Sequence, residues 1–92
     1  MALPEDNSRP HLAPGCRWAE PSNGERTVLF PEGAIVVKGT SRDILEHCDG
    51  QRTFAEIVQV LEGLYTLTDV QKIKREAGSF LEQLREKRIV DF

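Results

Sequence analysis

The chain has 92 residues, a formal net charge of −3 and two cysteines. That length holds one small domain with one core, which leaves little room for a deep, many-walled active site. An acidic balance weighs against a general nucleic-acid binder, whose footprint is basic, and at 39% hydrophobic residues global disorder is not expected. No apolar run approaches the roughly 18–20 residues that span a bilayer. Met1 to Pro10 lacks the basic-then-apolar pattern of a secretory signal. A cytoplasmic protein with Cys16 and Cys48 as reduced thiols is the resulting expectation.

Proline divides the chain. All five prolines fall at or before Pro31, so a strand-rich front precedes a helix-permissive back. Residues 1–10 read as a flexible arm and 11–92 as a single domain. Three short strands are expected, at 16–19, 27–30 and 34–38. The second and third are β-branched and flank Pro31-Glu32-Gly33, a hairpin signal. A turn at Ser22-Asn23-Gly24 would join the first two.

Three helices follow. Thr40 with Asp43 reads as a cap for the first, whose apolar face is Ile44, Leu45 and Cys48 and which Asp49-Gly50 ends. Thr53 with Glu56 caps the second, whose stripe is 54, 57, 58, 61, 64 and 65. The third starts near Thr68, with Gln71 at the reciprocal position, and carries apolar residues at 70, 73, 77, 80, 81 and 84. Ile89 to Phe92 adds a short strand or an apolar tail. Strands followed by helices indicate an α+β domain. It consists of a small three-stranded antiparallel sheet and a three-helix cluster, winged-helix-like. Such a sheet leaves at least one edge unpaired.

No catalytic or metal-binding motif is visible. His47 and Cys48 are neighbours on a helix, but adjacent helical positions diverge by about 100°, so a core cysteine beside a surface histidine is the simpler reading. Charge is more informative when resolved along the chain. Residues 1–69 carry 6 basic and 11 acidic groups, whereas residues 70–92 carry 6 basic and 4 acidic groups. The third helix therefore has a basic character. Its apolar stripe leaves two flanks. One holds Lys74, Gly78 and Arg85 beside Leu81, and the other holds Lys72, Glu76, Gln83 and Lys87. Gly78 costs about 1 kcal/mol relative to Ala inside a helix, and a spot without a side chain lets another backbone lie close.

Phe30-Pro31-Glu32-Gly33, Asp43-Ile44-Leu45, Cys48-Asp49-Gly50 and Arg52-Thr53-Phe54-Ala55-Glu56-Ile57 occur in an order and spacing that resemble the pyrroloquinoline quinone biosynthesis protein D family. Leu12 to Trp18 is similar to that family's opening segment. The resemblance implies a peptide chaperone without catalytic activity or cofactor. It would bind a ribosomally made precursor peptide by strand addition and present it to a radical S-adenosylmethionine enzyme. Carried over by position, the docking strand is Ile35, Val36, Val37 and Lys38, and the facing helix wall is Lys74, Gly78, Leu81 and Arg85. The chain departs from the family's usual pattern at Ser41, often Ala, at Val37-Lys38, often Leu-Asn, and at Arg88, often Gly. Alternatives are a recognition element of another modified-peptide pathway, a winged-helix DNA-binding protein gripping through the basic helix, an enzyme using the cysteines or histidines, and a homodimer formed through the same strand edge.

Overall fold

The computed structural model describes residues 3–20 and 25–92. The turn expected at Ser22-Asn23-Gly24 lies outside them. The elements in chain order are β1 (His11–Leu12), β2 (Arg17–Trp18), β3 (Arg26–Phe30), β4 (Gly33–Val37), α1 (Gly39–Glu46), α2 (Phe54–Leu64), α3 (Val70–Glu86) and β5 (Val90–Asp91). The expected three-stranded antiparallel sheet is present in the order β2-β3-β4. Beside it lies a two-stranded sheet that pairs β1 with β5, Leu12 opposite Val90. Two-residue strands have no periodicity to read, so β1 was missed. Only a partner some eighty residues away along the chain defines it.

The front sheet is organised by a tight reversal. Phe30 pairs with Gly33 across Pro31-Glu32, and the register runs on through Val28 opposite Ile35 to Arg26 opposite Val37. Pro31 suits the corner because its ring presets φ. Alternation then places Val28 and Val37 in the core. On the same face Arg26 stacks over the Trp18 ring at 4.3 Å and approaches Glu46 of α1 at 3.9 Å.

The helices bury one stripe each. Ile44 and Leu45 of the first with Cys48 just past its end, Phe54, Ile57, Val58 and Leu61 of the second, and Ile73, Ala77, Leu81 and Leu84 of the third meet Ile89 and Val90 in one cluster. Four expected apolar positions do not reach it fully. Leu64 and Val70 stay exposed because they flank the α2–α3 turn, and Tyr65 and Phe80 are only partly buried.

The caps correct two of the expectations. Thr53 and Glu56 form the anticipated reciprocal box: Glu56 N–H donates to Thr53 Oγ1 at 3.2 Å and Thr53 N–H to Glu56 Oε1 at 2.8 Å. For α1, however, the cap residue is Lys38, with no side-chain bond. Gly39 takes a positive φ of 58° and starts the helix early, so Thr40 lies inside it. Asp43 instead accepts the Tyr65 hydroxyl proton, which ties the end of α2 to α1. For α3 the cap is Asp69, whose carboxylate accepts Gln71 N–H at 3.0 Å.

Residues 3–10, read from the sequence as an arm, lie against the start of α2. A helix N-terminus has orphan N–H donors, and here Phe54 N–H donates to Ser8 O at 2.7 Å and Ala55 N–H to Asp6 O at 3.1 Å. Pro4 and Pro10 are buried. The linker Asp49–Thr53 is held by the Asp49 carboxylate, which accepts from Gln51 and Arg52 N–H. Gly50 adopts the expected left-handed conformation at φ 76° and donates to Pro10 O.

The C-terminus of α3 closes on a Schellman motif. Ile89 N–H donates to Leu84 O at 2.8 Å and Arg88 N–H to Arg85 O at 3.0 Å. The motif requires a left-handed residue, and Arg88 supplies it at φ 61°. Glycine holds that conformation without the Cβ penalty of roughly 1–2 kcal/mol. Arg88→Gly should therefore raise stability by about 1 kcal/mol, or about 4–8 °C in melting temperature for a domain of this size, measured by thermal denaturation. The two cysteines should also separate chemically. Burial, with Asp49 adding repulsion, pushes the Cys48 thiol up to about 12. Native Cys48 should stay unreactive to iodoacetamide at pH 8, while half-buried Cys16 is modified first. Mass spectrometry before and after denaturation checks this.

Candidate functional site

The most exposed hydrogen-bonding surface is the free side of β4. In the sheet order β2-β3-β4, both outer strands have one neighbour, but β2 is two residues long and β4 is five. A two-residue reversal makes Phe30 and Gly33 a hydrogen-bonded pair, and such pairs recur at every second residue. Gly33, Ile35 and Val37 therefore spend their N–H and C=O groups on β3. Ala34 and Val36 turn theirs to the open side, and Lys38, still extended at φ −141° and ψ 158°, adds its N–H. The Lys38 carbonyl is already taken by Arg42 N–H at 3.4 Å.

Side chains alternate in the same way. Val37 is buried and Ile35 packs against the core, whereas Val36 is 48% exposed. Lys38 is exposed and its ammonium stands 3.8 Å from Glu25. The four residues expected to form a docking strand thus split into two roles. Ile35 and Val37 hold β4 to the domain, and Val36 and Lys38 face outward. Ala34 joins the outward set, although it was not singled out in the sequence.

The four expected wall residues of α3 are not brought together beside β4. Leu81 is fully buried. Gly78 lies beneath residues 3 and 4: a Cβ built there would meet Phe54, Leu3 and Pro4 at 3.6–3.8 Å. Lys74 pairs with Asp6 of the same segment at 2.9 Å. Arg85 stands 3.6 Å from Asp91 and over the Phe92 ring at 4.7 Å. Gly78 is therefore covered by the chain's own N-terminal segment, at distances of ordinary van der Waals contact that do not require a glycine.

The opposite flank of α3 faces a cavity that it shares with the start of α1, which follows β4 after Lys38. Thr40, just beyond the strand, shares a small cavity of about 70 Å³ with Leu61, Tyr65, Ile73, Glu76 and Ala77. Residues at i+3 and i+4 extend a helix face, so Phe80 and Gln83 continue this flank. Periodicity alone identified both flanks but had no means of ranking them. The hydrogen bond from Tyr65 to Asp43, which fixes how α2 returns past α1, belongs to tertiary structure.

The cysteine–histidine pairing finds no support in the geometry. The Cys48 thiol donates to Ile44 O at 3.2 Å, and its high pKa keeps it protonated. His47 Nδ1 lies 2.6 Å from Asp43 O. Among the described residues, no three His, Cys, Asp or Glu side chains gather as metal ligands, and no helix is long and apolar enough to cross a membrane.

Comparison with known proteins places this geometry in a family. Residues 25–90 match the model of coenzyme PQQ synthesis protein D. A PqqA binding protein of Pseudomonas aeruginosa is 34% identical over 83 residues, covering 89% of this chain and 88% of its own. That of Azotobacter vinelandii is 33% identical over 82 residues, covering 88% and 87%. Among solved structures, the solution structure of the PqqD truncation of Methylobacterium extorquens PqqCD superposes with a TM-score of 0.71 at 25% identity, covering 90% of this chain and 88% of that one. It represents a functional, stand-alone recognition element for ribosomally synthesised and post-translationally modified peptides. With the family model spanning most of its length and these relatives matching nearly end to end, the chain belongs to the PqqD family.

Proposed function

We propose that this protein binds the PqqA precursor peptide of pyrroloquinoline quinone biosynthesis as an added strand on β4, and presents it to a radical S-adenosylmethionine enzyme in the cytoplasm. The observation that carries the reading is the unpaired β4 edge, with Ala34, Val36 and Lys38 turned outward. An added strand gains affinity from the main-chain ladder and selectivity from alternate side chains. The relatives named PqqA binding proteins and the recognition-element structure support the choice of peptide.

The α3 flank of Glu76, Phe80 and Gln83 forms the second wall in this reading. It replaces Lys74, Gly78, Leu81 and Arg85, which are engaged by residues 3–6, by the core and by β5. Phe80 offers a half-buried ring, and Glu76 sets the charge at one end. The DNA-binding alternative weakens for the same reason, since Lys74 and Arg85 already face Asp6 and Asp91. The peptide's role requires no catalytic group on this chain.

Two measurements test the proposal. Amide hydrogen exchange in the free protein should be fast at Ala34, Val36 and Lys38 and slow at Ile35 and Val37, and the first three should gain protection when PqqA is added. Unchanged exchange at all three under saturating peptide would remove β4 as the docking strand. Val36→Pro gives the complementary result. Proline deletes one outward N–H while sparing those bonded to β3, a position edge strands tolerate. The variant should keep its circular dichroism spectrum and lose at least about tenfold in PqqA affinity, or roughly 1.4 kcal/mol. The same edge is open to a second copy of the chain, so light scattering should show any dimer dissociating as peptide is added.

A further inference from the structure

A second surface lies at the other end of α3. Ala13, Pro14, Arg85, Arg88, Val90 and Asp91 line an open cavity of about 400 Å³. Ala13, Pro14 and Val90 give it apolar lining, and its charged lining is two guanidinium groups against one carboxylate. Asp91 is shared between Arg85 at 3.6 Å and Phe92 N–H at 2.8 Å. Arg88 makes no ion pair among the described residues. The cavity therefore has one uncompensated positive charge.

The backbone singles out the same residue. Arg88 is the sole non-glycine residue with positive φ among those described. Observed strain of this kind points toward function where the surroundings hold it in place. Here Ile89 N–H and Arg88 N–H are committed to the helix end, and the Arg88 carbonyl accepts the Cys16 thiol at 3.5 Å. Basic residues near a helix C-terminus also complement its dipole. That accounts for Arg85 in the last turn. It accounts less well for Arg88, which lies beyond the helix, past the Gln83, Leu84 and Arg85 carbonyls that already accept N–H groups.

We propose that the Arg85–Arg88 cavity is a docking site for an acidic segment of a partner polypeptide, with a Glu or Asp carboxylate held by Arg88 and flanking apolar side chains set against Ala13 and Pro14. The charge selects a carboxylate, and the guanidinium fork suits one. The size selects a segment over a free ion, since one water-sized occupant takes only about 30 Å³. The site is separate from the β4 edge and does not rest on peptide docking there.

The test is a titration of the full ¹⁵N-labelled chain with acetyl-Gly-Leu-Glu-Asp-Leu-Gly-amide and with its Gln/Asn twin. The acidic peptide should produce saturable amide shifts at residues 13, 85, 88 and 90. Raising the salt from about 50 to 300 mM should weaken them, because screening shortens the reach of the charges. Arg88→Gly, which suits the left-handed backbone, should bind at least fivefold more weakly while remaining folded, and Arg85→Gln should bind less tightly than the native chain. The proposal is overturned by the absence of saturable shifts up to about 5 mM, a binding energy of only some 3 kcal/mol, by equal shifts with the neutral twin, or by undiminished binding in Arg88→Gly.

Discussion

The reversal across Pro31 and Glu32 is the constraint on which the front of the molecule depends. Because the loop is two residues long, the pairing of Phe30 with Gly33 sets the parity of every later residue in β4. Parity decides two things together: which side chains enter the core and which backbone groups are left without partners. A slip of one residue would bury Val36, expose Val37 and exchange the bonded and free amides. The apolar burial of Val28 opposite Ile35, and of Val37 two residues on, opposes that slip. The open edge is thus a consequence of how the hairpin buries its other face.

The same economy operates at α3. Its apolar stripe joins the core, which leaves two flanks for other work. One is covered by the chain itself, through Leu3, Pro4 and the Asp6–Lys74 pair, whose segment also satisfies the orphan N–H groups of Phe54 and Ala55. The other stands by Thr40 in the first turn of α1. A short domain has few elements, so each face of its longest helix takes a different neighbour. The N-terminal segment effectively decides which flank remains open.

Much of this was legible from local chemistry. The Thr53–Glu56 box, the left-handed Gly50, the buried faces of α1 and α2 and the hairpin strands all follow from interactions within about four residues. The misread features have longer reach. Thr40 has the composition of a cap, yet the chain turns at Gly39 and caps with Lys38. Gly78 has the signature of a close approach, but residues 3 and 4 cover it at ordinary contact distance. Lys74 and Arg85 read as a free basic stripe because Asp6 and Asp91 are distant or off the helix in sequence.

The sequence by itself determined the class of fold, the order of its elements and the existence of an unpaired strand edge, because apolar periodicity, proline placement and turn chemistry are local. It also supplied a net charge of −3 whose meaning lay in its distribution, acidic in front and basic behind. Only the tertiary structure decided which flank of α3 is covered by residues 3–6, which basic groups are already paired, and that β1 and β5 meet. Those outcomes depend on where segments dozens of residues apart come to rest, and burial and ion pairing between them are set by the fold as a whole.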